Sequence, residues 1–142
     1  MHIHESGEDY LEAILVIKKR SGFVRAVDIA EELDVSKASV SKALGNLTRE
    51  GCVEVVEHDV RLTEAGLEIA AAILERHEYF SELLVAAGVE PQTASEEACR
   101  IEHCLSQDSF EKLVDFLRCR IEAVSPGACP WCAPQEAACR PA

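Results

Sequence analysis

At 142 residues and a formal net charge of −12, the chain has room for one compact domain or two small ones sharing a core, and its acidity speaks against a general nucleic-acid binder. No apolar run approaches the ~20 residues of a membrane span, and Met1-His2-Ile3-His4-Glu5 lacks the basic start and apolar stretch of a signal peptide. A cytoplasmic protein without a membrane partner is therefore expected, in which seven cysteines point to thiols, metal ligands or redox sensing rather than structural disulfides.

Residues 6–20 predict a first helix, with Tyr10, Leu11, Ile14, Leu15 and Ile17 as its apolar stripe and Lys18-Lys19-Arg20 at its negative end. Ser21-Gly22 stops it. A short second helix spans 27–33, with Ile29, Ala30 and Leu33 facing inward. Asp34-Val35-Ser36 makes a tight turn, and Ser36 caps a third helix from Lys37 to about Glu50, which buries Val40, Ala43, Leu44 and Leu47. Gly51 ends that helix. Two β-prone runs, 52–57 and 60–63, flank the polar pair His58-Asp59 and predict a hairpin.

Helix, helix, turn, helix, hairpin is the plan of a winged helix-turn-helix, with the third helix as the recognition element in the major groove and the hairpin as the wing. Charge is distributed accordingly. Residues 1–62 carry 8 Lys/Arg against 12 Asp/Glu, and seven of those eight cations fall between Lys18 and Arg49, so a locally basic surface sits on an acidic body. The expected DNA contacts are Arg25, Ser36, Lys37, Ser39, Ser41, Lys42, Asn46 and Arg49. DNA binding opposed by the acidic remainder would be conditional.

Residues 63–87 predict a long helix, in which Gly66 is a weak point. Gly88 ends it and Pro91 marks the break. Thr93 or Ser95 is a possible cap for a helix to Leu105, and Gln107-Asp108-Ser109 opens another to about Ile121. These helices hold more apolar surface than the DNA module needs, and a homodimer interface is the natural use. The expected fold is mostly α: a winged helix-turn-helix over 1–62, an α-helical dimerisation and metal-binding domain over 63–122, and a Cys/Pro-rich tail over 123–142 without fixed structure.

Cys99-Arg100-Ile101-Glu102-His103 sets three metal-competent side chains at i, i+3 and i+4, one helix face with about 5–6 Å between Cβ atoms. Asp9 and Glu12, at i and i+3 on the first helix, and His77 on the long helix are further ligand candidates. By residue type alone, Cys-x-x-Glu-His fits equally well a helix that turns Cys99 to the core.

The chain resembles the DtxR/MntR family of metal-dependent transcriptional repressors in Glu8-Asp9-Tyr10-Leu11-Glu12, Asp28-Ile29-Ala30-Glu31, Leu62-Thr63-Glu64-Ala65-Gly66, Arg76-His77 and Glu97-Ala98-Cys99-Arg100-Ile101-Glu102-His103. The likeness runs from residue 5 to about 118. It implies a metal site of Asp9, Glu12, His77, Cys99, Glu102 and His103, and double-stranded operator DNA as partner. Manganese-type members are similar at Asp9 and Glu12 but carry a carboxylate in place of Cys99. Iron-type members resemble Glu97-Ala98-Cys99-Arg100 but have a thioether in place of Asp9. The iron-type ancillary site has Ser81 and Ser95 where that pattern wants a carboxylate and a histidine; Glu12, Glu102 and His77 are the alternative holders of a second ion. Carboxylates with imidazoles suit Mn²⁺ or Fe²⁺, and a thiolate biases toward Fe²⁺, Co²⁺ or Zn²⁺. Fe²⁺ is expected first, then Mn²⁺, then Zn²⁺.

Cys129-Pro130-Trp131-Cys132, with Cys119 and Cys139, supplies four thiols, a number that suits a tetrahedral zinc or a redox role. Cys52 is expected in packing, Cys104 toward the core and His58 at the wing tip. No Gly-rich phosphate loop or triad pattern points to an enzyme or a small-molecule substrate. The competing functions are a thiol-based redox regulator on the same scaffold, or a thiol or metal-buffering protein that depends on the tail.

Overall fold

The computed structural model describes residues 5–122. Its elements are α1 (Glu5–Ser21), α2 (Ala26–Leu33), α3 (Lys37–Arg49), β1 (Val53–Val56), β2 (Asp59–Leu62), α4 (Glu64–Ala86), α5 (Pro91–Ile101) and α6 (Gln107–Glu122). The fold is mostly α with one two-stranded antiparallel sheet, as expected. Of the described residues, 5–104 form one compact unit, and α6 belongs to a second that starts at Leu105. No described helix is long and apolar enough to cross a membrane. The thiols of Cys119, Cys129, Cys132 and Cys139 lie outside what is described.

α1 is the hub, touching α2, α3, α4 and β2. Its Leu11, Ile14 and Ile17 are fully buried and join Val24, Ile29, Val40, Leu47, Val53, Val60, Ala70 and Leu74 in one core. Local chemistry sets the helix ends. Ser36 Oγ accepts from Ser39 N at 3.1 Å and starts α3. Gly51, at φ +75°, lets Cys52 N reach back to Leu47 O at 2.9 Å, closing α3 and turning the chain into β1.

Several expectations need correction. Glu90, not Thr93 or Ser95, caps α5: its Oε2 accepts from Gln92 N and Thr93 N at 3.0 and 3.1 Å. Pro91 is then the first helical residue, where its missing N–H costs nothing. α5 stops at Ile101 rather than Leu105, but Glu102 keeps helical dihedrals (φ −58°, ψ −30°), so the i, i+3, i+4 relation of Cys99, Glu102 and His103 survives into the turn. Cys104 is exposed, its thiol directed at Arg100 O at 3.3 Å, because the chain has left the helix there. Gly66 is buried and supports the fold: Thr63 caps α4 through Gly66 N and also reaches Gly51 O at 2.6 Å, bringing the first turn of α4 against the backbone of Cys52.

The wing pairs Val53 with Leu62 and Val56 with Asp59, so its tip is Glu57-His58, one residue earlier than expected. The reason is Asp59. Its carboxylate is buried, accepts from Val24 N at 3.0 Å and from Arg61 at 2.7 Å, and lies 3.8 Å from Lys18 Nζ. Val60 N donates to Val24 O at 2.7 Å, which ties the wing to the α1–α2 connection. Glu57 and His58 both adopt left-handed backbone (φ +50° and +68°) without a glycine, a conformation that costs roughly 1–2 kcal/mol per side chain. His58→Gly is therefore expected to raise stability by about 1 kcal/mol, read as a higher urea midpoint at unchanged slope; an unchanged midpoint would show that the tip is relaxed.

Candidate metal centre and DNA-facing surface

The metal candidates come from three elements that the core brings together: α1, α4 and the end of α5. Apolar packing of α1 on α4, and of α4 on α5, sets the polar edge of each toward the other two. Asp9, Cys99, Glu102 and His103 then offer ligand atoms within 4.8 Å of one another, and so do Glu12, His77 and Glu102. Glu102 belongs to both groups. A cleft of about 600 Å³ opens beside them, bordered by Asp9, Glu12, His77, Ser95 and Cys99.

Glu102 is wholly buried. Its Oε2 lies 2.8 Å from His77 Nδ1. Its Oε1, 3.3 Å from His103 Nε2, is buried with no hydrogen-bond partner among the described residues. A buried carboxylate oxygen without a donor is costly, and a cation at the junction of the two groups would satisfy it. The donor set therefore fits a divalent ion: hard carboxylates, two imidazoles and one thiol. His103 is gripped on both ring nitrogens, Nε2 to Asp9 Oδ1 and Nδ1 to Glu8 Oε2, each at 2.7 Å. Glu8 and Ser95, whose Oγ is 3.3 Å from His77 Nε2, are site neighbours that the sequence reading passed over as ligand-set partners. The signal for Glu8 was its place one turn before Glu12 on α1.

Crowding of like charge keeps protons on this cluster. Burial, then the Glu102 charge, raises the Glu12 carboxyl to about 7. The hydrogen bond to Glu102 raises His77. For His103, burial pushes downward, but bonds to Glu8 and Asp9 outweigh it and the net direction is up. Desolvation, with the charges of Glu102 and Asp9, lifts the Cys99 thiol to about 11. Because the folded state holds protons on Glu12 that an unfolded chain releases near 4.5, stability of the ion-free protein should fall as pH rises from there through about 7. Ligands must be deprotonated to hold a cation, so metal affinity should climb between about pH 6 and 8. Calorimetry in buffers of differing ionisation enthalpy should show proton release on Mn²⁺ addition at neutral pH; zero release would remove these groups from the ligand set.

Of the candidate DNA contacts on α3, Lys37, Ser39, Ser41, Lys42 and Arg49 are exposed and Asn46 is half-buried. Among the described residues no carboxylate pairs with Lys37 or Lys42. Several of the expected contacts are otherwise engaged. Ser36 caps α3 and meets Ser39 Oγ at 2.8 Å, and Arg25, at the N-cap position of α2, donates from its backbone N and its guanidinium to Asp28 at 2.9, 2.8 and 3.1 Å. Arg49 reaches back to the Asn46 side chain.

The chain is similar to proteins already known. Residues 2–59 match the family model described as iron dependent repressor, N-terminal DNA binding domain, and residues 63–136 match iron dependent repressor, metal binding and dimerisation domain. An uncharacterised HTH-type transcriptional regulator of Methanocaldococcus jannaschii is 37% identical over 116 residues, covering 80% of this chain and 93% of that protein. The transcriptional regulator MntR of Escherichia coli is 33% identical over 111 residues, covering 78% and 72%. The solved structure of the manganese regulator SloR superposes with a TM-score of 0.69 at 28% identity, over 79% of this chain; the chain spans about half (53%) of its length. With a family model matching each half of the described fold and relatives above 30% identity along most of its length, the chain belongs to the DtxR/MntR family of metal-dependent transcriptional repressors.

Proposed function

We propose that the protein is a homodimeric repressor that reads two operator half-sites with paired copies of α3, under the control of a divalent metal held by Asp9, Glu12, His77, Cys99, Glu102 and His103. The observation that carries this reading is the meeting of two α1 carboxylates with ligands from α4 and α5 around the unsatisfied Oε1 of Glu102. Asp9, Cys99, Glu102 and His103 would hold one ion, and Glu12 and His77, sharing Glu102, a second. Once bound, such an ion supplies positive charge that offsets the clustered carboxylates. Asp9 and Glu12 belong to the DNA-reading module, residues 1–62, whereas the other ligands belong to a dimer module, residues 63–122. Holding the two sets together fixes α1, and with it α3, against α4 and α5. Two half-sites on one DNA face demand a spacing near ~34 Å, and an ion that binds only the DNA-competent arrangement shifts the population toward it.

Fe²⁺ is the favoured signal, followed by Mn²⁺ and Zn²⁺. Cys99 carries that order, since a thiolate favours Fe²⁺ over Mn²⁺. A redox switch at Cys99 has less support, because its neighbours hold the thiol protonated up to about 11 and thiol reactivity requires the thiolate. The deciding experiment is an anaerobic DNA-binding titration on a promoter fragment from its own genomic neighbourhood, ion-free and with Fe²⁺, Mn²⁺, Zn²⁺ and Co²⁺ in turn. Affinity should rise with one metal and collapse on chelation; binding indifferent to every metal would sink the reading. In the same assay Cys99→Glu should keep activation but move the preference toward Mn²⁺, whereas an unchanged ranking would show that Cys99 is not a ligand.

A further inference from the structure

We infer that Glu8, which lies outside both ligand groups, is a positioning residue that selects the ring nitrogen His103 presents to the metal and strengthens it as a donor; the inference rests on the metal-site reading above. His103 sits in the turn just after α5. Two consecutive residues of α1 take hold of it. Asp9 and Glu102 face Nε2 at 2.7 and 3.3 Å, on the side of the ligand group, and Glu8 meets Nδ1 at 2.7 Å on the far side. Carboxylates face both ring nitrogens and can only accept; with an ion in place of the Nε2 proton among Asp9, Cys99 and Glu102, Glu8 would keep the proton on Nδ1 and leave the Nε2 lone pair for the ion. An anionic outer partner also raises the basicity of the imidazole as a ligand.

His77 provides an internal contrast. It turns Nδ1 toward Glu102 and Glu12, and its other nitrogen meets the neutral hydroxyl of Ser95 at 3.3 Å. The contact is longer and uncharged, so His77 receives less support than His103. Glu8 thus makes the group of Asp9, Cys99, Glu102 and His103 the tighter half of the pair. It also bridges α1 and the turn after α5 across 95 positions of sequence.

The test is anaerobic Co²⁺ titration of the full chain, followed by the visible absorption of the bound ion, for the wild type, Glu8→Ala, Glu8→Gln, Ser95→Ala and His103→Ala. Glu8→Ala should weaken the tighter Co²⁺ binding ~10–100-fold and alter the ligand-field bands. Glu8→Gln, whose amide oxygen still accepts from Nδ1, should restore the wild-type bands and most of the affinity, a rescue that a merely structural role for the side chain would not require. Ser95→Ala should change affinity only a few-fold. Wild-type affinity and bands in Glu8→Ala, beside clear loss in His103→Ala, would overturn the role of Glu8 alone. Wild-type binding in His103→Ala as well would overturn the metal-site reading on which it rests.

Discussion

Glu102→Gln is expected to eliminate metal-dependent DNA binding and weaken metal binding more than ~100-fold, beyond the ~10–100-fold typical of losing an outer-shell partner. Among the described residues no other side chain serves both candidate ligand groups. The amide removes the negative charge from both at once and replaces one carboxylate oxygen with an NH₂ that repels a cation. In the ion-free protein the same carboxylate pairs with His77 at 2.8 Å and lies 3.3 Å from His103 Nε2, so its loss leaves two partly buried imidazoles without that partner and should lower folding stability as well. Thermal unfolding with and without Mn²⁺ separates the two effects. At a metal concentration near 100 times its Kd the wild type should gain about 2.7 kcal/mol and the variant less than about 0.4 kcal/mol. A variant that still gains the full amount from Mn²⁺ would place the ion elsewhere.

The second large effect falls on stability at a position that looks harmless in sequence. Alanine is the better helix former by about 1 kcal/mol in a helix interior, yet Gly66→Ala should destabilise the fold by about 3 kcal/mol. A Cβ at residue 66 would stand 1.9 Å from the carbonyl oxygen of Cys52 and 2.8 Å from its carbon. Both are backbone atoms and cannot swing aside. That same carbonyl accepts from Thr63 N at 3.0 Å, so relief by movement would break the junction between wing and α4. For a protein of this size the expected loss lowers Tm by roughly 6–12 °C. A Tm equal to or above that of the wild type would mean that the junction yields freely.

These two positions mark where local reading stops. The cap at Ser36 and the end of α3 at Gly51 were legible, because a cap is chemistry among residues three or four apart. The binary pattern of α1 likewise announced which residues enter the core. Gly66 appeared as a flaw in a helix, since its reason lies in a carbonyl 14 residues earlier that only touches it once the wing has folded. The wing tip was misplaced by one residue for a related cause: Asp59 reads as a turn residue until Val24 N is found beside it.

The candidate site divides in the same way. Residue type and spacing, with the family likeness, singled out Asp9, Glu12, His77, Cys99, Glu102 and His103 from the sequence alone. What only the tertiary structure decided is how they are shared: two groups joined at Glu102, with Glu8 and Ser95 behind the histidines. Helical periodicity says which side chains share a face of one helix. Which faces meet depends on how α1, α4 and α5 bury their apolar sides together, and that packing brought residue 8 to residue 103.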